Sequence, residues 1–485
     1  MLVVSAPDFI DLNISRNKPL QEQLYTALVE RIKSGRYPAG SQLPSSRAMS
    51  KSIGVSRNTI IHVIEQLKKD GFLVSKASKG VFVSPIFSAC IDKITNISKN
   101  ASKTELSLPS LSNQDKLSAI ENTYWPDSHP FSPGMPDVKS FPYKKWGKLF
   151  HRHQENIKFN GYGDINGYQP LRELLSDYLN STRGTFCTPD QIIITSGRLE
   201  SLDLCARLTL DAGDTVLMEN PGCTRARFLF NTMHVNLKPL EVKQGVLNVD
   251  YLMKNELNGK LLCLTPNQQS PLGGIIPFQE RLEILNWAEK NKCWILEGDS
   301  DNELFNEGIP VDSIQGLHSS TPVIYIGGFS RVLLPNLRLG YLISPKPLVP
   351  AFKNAKMQLS GPCPLTHQVI LADFIREGYF TQHARQMRKS YQEKLDHFFG
   401  LMRCDLSSSI NIISKRSALN FTLNIPGHND VKISERLFKK GFGSTPISPY
   451  YYCDNSKENG LVLGCANTSS CDRIRFISTL KDLLT

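Results

Sequence analysis

The chain has 485 residues, of which 40% are hydrophobic and 21% are charged. This is the composition of a globular protein with roughly two to four domains, and it excludes a chain that is disordered throughout. No run of about 18 apolar residues occurs, so we expect no membrane-spanning helix and no membrane partner. Asp8 and Asp11 near the N-terminus argue against a secretory signal, and we therefore expect a cytoplasmic protein.

The 11 cysteines are widely and irregularly spaced, and none of them forms a CxxC pair. An odd number of cysteines without a pairing pattern gives no support to a disulfide framework or to a zinc site. We therefore expect reduced, mostly buried thiols and no bound metal.

Positive charge is concentrated at the N-terminal end. The whole chain carries a net charge of +11, and residues 1–90 contain 12 basic and 6 acidic residues. A basic region joined to a nearly neutral remainder indicates an anionic partner for the first region, such as nucleic acid. Mildly basic small domains are common, so charge alone does not decide this point.

The N-terminal region predicts three helices. Apolar residues recur at every fourth position of PLQEQLYTALVERIKS, which is the pattern of an amphipathic helix. Ser45 or Ser46 can cap a short helix that Gly54 ends, and Ser56 can cap the next helix. Together they predict a helix-turn-helix. The apolar residues expected to face inward on its second helix are Ile60, Ile61, Val63, Ile64 and Leu67.

The segment FLVSKASKGVFVS predicts two strands around a tight turn, a hairpin wing. The second helix of a helix-turn-helix presents its first side chains to base edges in the major groove, while the start of the preceding helix and a basic wing reach the phosphates. The candidate DNA contacts are Ser45, Arg47, Ser56, Arg57, Asn58, Thr59, His62, Lys76 and Lys79. A small helical protein-interaction domain is the alternative.

After the wing the chain becomes polar, and residues 86–125 are rich in Ser, Asn and Lys without periodicity. We interpret them as an interdomain linker, with a loop packed on the large domain as the alternative. From 126 to 485, helices alternate with short apolar runs that predict a mainly parallel sheet in an α/β domain. The runs are QIIITSG, DTVLMEN, KLLCLTP, CWILEGD, TPVIYIGG and RLGYLIS.

The last part of the chain changes character. One long helix is predicted over LTHQVILADFIREGYFTQHARQMRKSYQEKLDHFFGLM. A smaller α+β subdomain is expected over about 395–485, where ALNFTLNI and GLVLGCA look like strands and CDRIRFISTLKDLL looks like a helix.

Two parts of the chain resemble known families. Residues 10–85, with LPSSRAMSKSIGVSRNTIIHVIEQLKKDGFLVSKASKGVFV, resemble the winged helix-turn-helix (α+β) of GntR regulators. Residues 126–485 resemble fold type I aminotransferases, and specifically the MocR subgroup of GntR regulators. The segments that carry this second resemblance include FSPGMPDVKSFPYKKW, YGDINGYQPLRELLSDYL, DTVLMENPGCTRAR and FSRVLLPNLRLGYLIS.

The resemblance implies double-stranded operator DNA as a partner and pyridoxal 5'-phosphate as a cofactor. It also implies a head-to-tail homodimer, in which the winged helix of one chain lies over the large domain of the other. The cofactor's chemistry needs a lysine for the Schiff base, a carboxylate at the pyridine nitrogen, a polar group at the phenolic oxygen, and a phosphate site.

Several of these positions have changed in this chain. The resemblance places Arg331 at the lysine, Gly298 at the aspartate, Ser300 at the tyrosine, Gln268 at a histidine and Cys223 at an aromatic residue. A guanidinium stays protonated at neutral pH and cannot act as an amine nucleophile. Asp299 is a poor substitute for the aspartate, because consecutive strand residues face opposite sides of a sheet. A one-residue shift in the alignment is the alternative.

The anion-binding side of the pocket is better retained. Arg338 matches the phosphate-binding arginine, Ser330 precedes Arg331, and Ser196 and Gly197 precede a helix whose N–H groups can hold an anion. Arg198 follows them, where the family has a small polar residue. Arg225 matches an arginine that binds the substrate carboxylate, and Arg436 is a candidate for a second such arginine.

We therefore predict a DNA-binding regulator that is not an enzyme and has lost the Schiff base. Its aminotransferase-like domain would serve dimerisation and the sensing of an anionic small molecule, since several guanidinium groups packed together favour an anion between them. The alternatives are a regulator that binds pyridoxal phosphate non-covalently, an oligomerisation module without a ligand, and an active aminotransferase, which would need the missing lysine.

Overall fold

The structure is a computed structural model of the chain. It describes residues 19–77, 79–85, 129–156, 161–255, 257–299, 302–304, 312–318, 321–406, 410–414, 417, 419–452 and 458–484. The chain divides into two compact units, Met1–Leu108 and Pro109–Thr485, which we describe separately. The linker predicted at 86–125 lies outside the described residues.

The first unit is a helix-turn-helix followed by an antiparallel hairpin. Its elements are α1 Leu20–Lys33, α2 Ser46–Ile53, α3 Arg57–Lys69, β1 Leu73–Lys76 and β2 Gly80–Val83. Ser45 caps α2 by accepting a hydrogen bond from the Ala48 N–H at 3.3 Å, and Ser56 caps α3 through the Thr59 N–H at 3.2 Å. Between them Gly54 ends α2 with a φ of 74°, a left-handed conformation that favours glycine. The predicted helix-turn-helix and wing are confirmed.

The helices of this unit close around one apolar core. Ile60, Val63 and Leu67 of α3 are buried together with Leu24 and Leu28 of α1, as the helical spacing predicts. The prediction that Ile61 also faces inward is wrong, because Ile61 is 40% exposed. It follows the buried Ile60 by one residue, and one residue turns about 100° around a helix.

An eight-stranded sheet forms the centre of the second unit, in the order β3-β10-β9-β8-β7-β4-β5-β6. The pairs among β4, β5, β7, β8 and β9 are parallel, β10 is antiparallel to both of its neighbours, and β6 is antiparallel to β5. This confirms the mainly parallel sheet. The strands are β3 Ile192–Thr195, β4 Thr215–Asn220, β5 Asn236–Lys243, β6 Val246–Leu247, β7 Leu261–Leu264, β8 Trp294–Gly298, β9 Val323–Gly328 and β10 Gly340–Ile343.

Helices cover both faces of this sheet. Their bounds are α4 Tyr143–His153, α5 Gln169–Arg183, α6 Arg198–Thr209, α7 Thr224–Thr232, α8 Val249–Lys254, α9 Phe278–Lys290, α10 Val349–Leu359, α11 Leu365–Arg376 and α12 Tyr379–Asp405. The prediction of one long helix after Leu365 is wrong: it is two helices, α11 and α12. Gly378 lies between them with a φ of 75°, and a right-handed helix cannot continue through that conformation.

The C-terminal part forms a small antiparallel sheet in the order β11-β12-β14-β13. Its elements are β11 Asn411–Ser414, β12 Phe421–Asn424, α13 Asp430–Lys439, β13 Thr445–Pro446, β14 Gly460–Leu463 and α14 Ser470–Leu484. The two predicted strands and the C-terminal helix are confirmed, whereas β11 and β13 were not predicted.

Consecutive residues at the end of β8 face opposite sides of the large sheet. Leu296 packs in the core that contains α6, and Ile295 packs in the core on the other face. Glu297 points to the same face as Ile295, where it accepts hydrogen bonds from the N–H groups of Ile314 and Gln315 at 3.0 and 2.9 Å. Gly298 therefore faces the α6 side of the sheet.

Asp299 is directed away from Gly298 by the same alternation. Its carboxylate is 3.1 Å from Nε of Arg183 and accepts a hydrogen bond from the Tyr325 hydroxyl. Arg183 also pairs with Glu303, with 2.6 Å between the nitrogen and the oxygen. Asp299 is thus part of a buried ion-pair network on the opposite face.

Two kinds of feature are absent from the described residues, a membrane-spanning helix and a metal-ligating cluster. None of the helices in these residues combines the length and the apolar character needed to cross a membrane. The same residues bring together no group of three or more His, Cys, Asp or Glu side chains that could hold a metal ion.

We predict that Asp299→Ala lowers the free energy of unfolding by roughly 1–3 kcal/mol, because it removes one of the two carboxylates bound to the buried Arg183 and the acceptor of the Tyr325 hydroxyl. Urea unfolding of the full chain measures the loss. Asp250→Ala is the matched control, since the Asp250–Lys254 pair is exposed on α8 and such pairs contribute little. An equal loss from both variants would contradict the assignment.

Candidate functional site

The N-terminal end of α3 presents an exposed polar face. Arg57, Asn58 and His62 are exposed, and Thr59 is half-buried. The Thr59 hydroxyl lies 2.8 Å from Oγ of the capping Ser56, so part of its hydrogen-bonding capacity serves the helix cap. Ile61, four residues after Arg57 on the same helix, is also exposed. Sequence periodicity had assigned that side chain to the core.

Arg57 connects the two helices of the helix-turn-helix. Its Nε donates to the Ser46 hydroxyl at 3.3 Å, which fixes the root of the guanidinium beside the start of α2. Ser45 and Arg47, at that start, are exposed. The predicted contacts of the two helices therefore lie on one side of this unit, where α2 and α3 begin.

The wing carries the remaining basic candidates. Lys76 and Lys79 are exposed, and the Lys76 ammonium lies 4.8 Å from the centre of the Phe82 ring. Gln42, which sequence reasoning missed, donates from Nε2 to the Lys79 carbonyl at 2.6 Å and forms a bridge with Phe82. This contact steadies the wing tip from outside the hairpin. No local pattern near Gln42 indicates it.

In the second unit, the candidate pocket lies where β8 and β9 end and α6 begins. Arg198 is the first residue of α6, and its side chain extends across the strand ends. A Cβ atom at Gly328 would be 3.5 Å from Cγ of Arg198, and one at Gly298 would be 3.1 Å from its Nη2. The guanidinium therefore covers the pocket-facing side of Gly298.

Arg331 occupies another wall of the pocket. A Cβ atom at Gly134 would be 3.2 Å from Nε of Arg331, so the guanidinium lies on this turn. The Gly134 N–H donates to the Leu419 carbonyl at 2.7 Å, which attaches the turn to the C-terminal subdomain. Arg331 and the neighbouring Ser330 are both half-buried.

Tyr450 is the member of this pocket that sequence reasoning missed. Burial raises its pKa to about 12, the nearby Cys223 acts in the same direction, and the guanidinium groups of Arg331 and Arg225 act against them. The phenol therefore stays neutral and can donate a hydrogen bond. Cys223 is the N-cap residue of α7, and Arg225 is exposed in its first turn.

The segment around Tyr450 is bound to the loop that follows β4. The Gly222 N–H donates to the Tyr450 carbonyl at 3.1 Å, and the Tyr452 N–H donates to Oδ1 of Asn220 at 2.6 Å. Arg227 adds a bond to the Tyr451 carbonyl at 2.9 Å. These contacts hold a piece of the C-terminal subdomain beside the pocket.

The loop before α6 is held by a buried carboxylate. The Ser196 N–H donates to Glu200, whose Oε1 accepts from the fully buried ammonium of Lys356 at 2.7 Å. Burial opposes ionisation of Glu200, but the bonds from Lys356 and Ser360 outweigh it and keep its pKa below the usual value. Sequence reasoning missed this cluster, because Glu200 and Lys356 are 156 residues apart.

The remaining candidates lie around the pocket or outside the described residues. Gly197 is the N-cap residue of α6 with a φ of 105°, and Arg338 is exposed with a φ of 47° before β10. Gln268 is half-buried, whereas the adjacent Gln269 is buried and donates to the Pro221 carbonyl at 2.6 Å. Ser300 falls outside the described residues, and Arg436 is exposed on α13.

The two units of the chain match two different known families. Residues 20–83 match the gntR family of bacterial regulatory proteins, and residues 132–472 match aminotransferase class I and II. The probable rhizopine catabolism regulatory protein MocR of Rhizobium meliloti is 31% identical over 92% of this chain and 90% of its own length. The chain belongs to the MocR-type regulators of the GntR family.

Other relatives match almost the whole length of this chain. The uncharacterized HTH-type transcriptional regulator YhdI of Bacillus subtilis is 32% identical over 96% of this chain and 95% of its own. The pyridoxine biosynthesis transcriptional regulator PdxR of Corynebacterium glutamicum is 26% identical over 96% and 97%. This MocR-type protein is thus a transcriptional regulator with a DNA-binding GntR domain and an aminotransferase-like domain.

Solved aminotransferases share the fold of the second unit. The α-aminoadipate aminotransferase LysN of Thermus thermophilus, solved with N-(5'-phosphopyridoxyl)-L-leucine, has a TM-score of 0.69 at 21% identity, covering 78% of this chain and 97% of that one. The kynurenine aminotransferase of Pyrococcus horikoshii also has a TM-score of 0.69, at 23% identity over 81% and 98%. These likenesses concern the fold.

The side chains of this pocket do not fit a cofactor held through a Schiff base. Position 331 offers a guanidinium, position 298 offers no carboxylate, and Arg198 covers the surface at Gly298. The buried Lys356 amine is engaged with Glu200. No reaction step through pyridoxal phosphate is therefore derived for this chain.

For the DNA interface we predict that Arg57→Ala weakens binding to a duplex selected by the protein from a random library by about 1–3 kcal/mol and relaxes sequence preference. Lys79→Ala should weaken binding to selected and scrambled duplexes alike, because a wing lysine contacts phosphate. Binding is measured at fixed salt, with Lys68→Ala, paired with Glu65 near the far end of α3, as the control. Equal relaxation of preference by both variants would contradict these roles.

A second prediction concerns Glu219 at the end of β4. Burial raises its pKa to about 7, although its Oε2 accepts from the N–H and hydroxyl of Thr265 at 3.1 and 2.9 Å. A carboxyl with a raised pKa in the folded state binds its proton more tightly there. Its contribution to stability is present below the unfolded value of about 4.5 and is lost as the pH rises towards 7.

Glu219→Gln should therefore gain stability relative to the native chain between pH 5 and 8, by roughly 3 kcal/mol at most. Glu297, whose burial also raises its pKa to about 7, contributes the same trend in both proteins. The free energy of unfolding is compared across this pH range, with the exposed Glu289→Gln on α9 as the control. Parallel pH profiles for native chain and Glu219→Gln would disprove the raised pKa.

Proposed function

We propose that this regulator senses a small anionic molecule through its aminotransferase-like domain without Schiff-base chemistry, and that the same domain joins two chains. The observation that carries the proposal is Arg331, which stands at the lysine position with its guanidinium on the Gly134 turn. A guanidinium stays charged and is not nucleophilic at neutral pH. The domain therefore acts by binding, and the protein is not an enzyme.

The chemistry of the pocket favours a carboxylate or a similar anion. The charges of Arg331 and Arg225 both act to lower the pKa of Tyr450 against the effect of burial, so this part of the domain combines two guanidinium groups with a phenol that stays neutral. Arginines bind carboxylates through paired, charge-assisted hydrogen bonds. Arg225 also stands where the family binds the carboxylate of an amino acid. The ligand enters as the free acid anion in this proposal.

On the DNA side, the proposal assigns base contacts to the start of α3 and phosphate contacts to the start of α2 and to the wing. A homodimer, head-to-tail as the family resemblance implies, would present two such winged helices to two half-sites of one operator in the cytoplasm. The domains proposed are 10–85 for DNA binding and 126–485 for the effector and dimer functions, joined by the linker 86–125.

Non-covalent binding of pyridoxal phosphate is the second candidate function. Two features support it: Gly197 is the N-cap residue of α6 with a φ of 105°, and the family resemblance assigns Arg338 to the phosphate. A relative from Corynebacterium glutamicum is named a regulator of pyridoxine biosynthesis. In this candidate function, pyridoxal phosphate is a reversibly bound effector and takes part in no reaction.

The first test is an absorbance titration of the purified full chain with pyridoxal phosphate, before and after borohydride. We expect a sum of the two free spectra, or a perturbed spectrum that dialysis reverses, and no adduct fixed by borohydride in the second unit. A fixed adduct there would show that another lysine has replaced the one missing at position 331. The proposal would then be wrong.

The second test is a thermal-shift screen with small mono- and dicarboxylates. A ligand at 100 times its Kd stabilises the folded chain by about 2.7 kcal/mol. We expect Arg331→Ala and Arg225→Ala to lose this stabilisation, whereas Arg403→Ala, exposed on α12, should keep it. Stabilisation by no carboxylate, with unchanged operator binding in both pocket variants, would leave the domain as an inert dimerisation module.

A further inference from the structure

Two positions define where a pyridine ring would lie in this pocket. The family resemblance puts the cofactor phosphate at the loop Ser196–Gly197, where α6 begins, and the ring nitrogen at position 298, where β8 ends. A ring attached to that phosphate must lie over the strand ends between these two points.

Arg198 follows the same path. It begins beside Gly197, its Cγ lies 3.5 Å from a Cβ position at Gly328, and its Nη2 lies 3.1 Å from a Cβ position at Gly298. The aliphatic part therefore crosses the end of β9, and the guanidinium reaches the end of β8. The side chain extends from the phosphate loop to the ring-nitrogen position over the surface on which a ring would rest.

The missing side chain at position 298 makes room for this arrangement. A Cβ atom there would be 3.1 Å from Nη2 of Arg198 and 3.2 Å from Cγ2 of Thr265. Both distances are shorter than ordinary van der Waals contact, so even an alanine would press on the guanidinium. A side chain at this position would therefore displace the guanidinium of Arg198 from its present place against Gly298.

The root of Arg198 is fixed by the cluster around Glu200. The Ser196 N–H and the buried Lys356 ammonium both bind the Glu200 carboxylate, and Ser360 donates to it as well. Glu200 stays ionised because these bonds keep its pKa low against the effect of burial. The Ser196 N–H is thus engaged with Glu200 and is not offered to a phosphate at this loop.

We propose that Arg198 is a specificity-determining residue that occupies the place of the cofactor ring. The pocket consequently excludes pyridoxal phosphate, which leaves the free carboxylate of the proposed function as its ligand class. The proposal rests on the proposed loss of the Schiff base and decides between the two candidate ligand classes in favour of the free carboxylate.

The first experiment rebuilds the covalent site stepwise in the full chain. The variants are Arg331→Lys, the double variant with Gly298→Asp, and the triple variant with Arg198→Ser added. An amine at position 331 condenses with the aldehyde of pyridoxal phosphate and releases water, and borohydride then adds hydride to the C=N bond. Peptide mass spectrometry measures the fixed fraction at position 331, and melting temperatures verify folding.

We expect the single and double variants to be labelled no more than Arg403→Lys, which reports the reactivity of a lysine exposed on α12. The triple variant should be labelled at least tenfold more. Because Gly298→Asp can impair folding, Arg331→Lys with Arg198→Ser is tested in parallel and should also exceed the control. Labelling of Arg331→Lys alone at the level of the triple variant overturns the proposal, and so does an unlabelled, folded triple variant.

The same experiment separates this proposal from the proposed function. A borohydride-fixed adduct in the pocket of the native chain would refute the loss of the Schiff base itself. Strong labelling of Arg331→Lys alone, with none in the native chain, would leave that loss intact and refute only the role of Arg198.

Non-covalent binding provides an independent measurement. Equilibrium dialysis with pyridoxal phosphate should give at least tenfold tighter binding to Arg198→Ser than to the native chain. Removing a positive charge would ordinarily weaken the binding of an anion, so tighter binding identifies a steric role. Equal or weaker binding to Arg198→Ser would mean that the arginine attracts the phosphate, and the proposal would be wrong.

Discussion

The alternation of side chains along β8 determines what the effector pocket contains. Glu297 and Asp299 lie on one face of the sheet, where backbone N–H groups and Arg183 bind their carboxylates. Gly298 lies between them and is the residue that faces α6. Neither Glu297 nor Asp299 therefore points its carboxylate into the pocket, because both are bound on the opposite face of the sheet.

The changes at positions 198, 298 and 331 are physically consistent with one another. A protonated pyridine ring needs a carboxylate beside it and an amine to hold it. A pocket for a free anion needs neither, and cationic side chains serve it better. Loss of the carboxylate removes the partner of the ring and opens the space into which Arg198 extends. In the proposed function, the three positions together correspond to a change of ligand class, which each substitution considered alone would not indicate.

Local patterns in the sequence predicted the elements that depend on local contacts. Ser45, Gly54 and Ser56 gave the ends of the helix-turn-helix, and strand alternation placed Asp299 away from Gly298 before any coordinates were considered. The break at Gly378 was missed, because apolar periodicity continues on both sides of it. Ile61 was misplaced because an apolar residue was taken as a core residue.

The parts of the site that the sequence did not predict depend on long-range contacts. Glu200 and Lys356 are 156 residues apart, and Tyr450 reaches the loop after β4 across more than 200 residues. The residues next to an arginine do not indicate which strand end its side chain covers, and the residues next to a glycine do not indicate which side chain lies against it. The DNA contacts and the ligand contacts of individual residues stay predictions, because they concern molecules outside the chain.

An anion bound as proposed would link two parts of the domain through Tyr450. Arg225 belongs to α7 beside the large sheet, whereas Tyr450 belongs to the C-terminal subdomain, and the Gly222 N–H already joins the two through the Tyr450 carbonyl. An anion held by Arg225, Arg331 and Tyr450 would contact both parts at once. Such a ligand favours the arrangement in which these groups are together, by as much as its affinity differs between that arrangement and a looser one. Effector sensing in this domain therefore requires a difference in affinity between two arrangements of the subdomain, and no chemistry on the ligand.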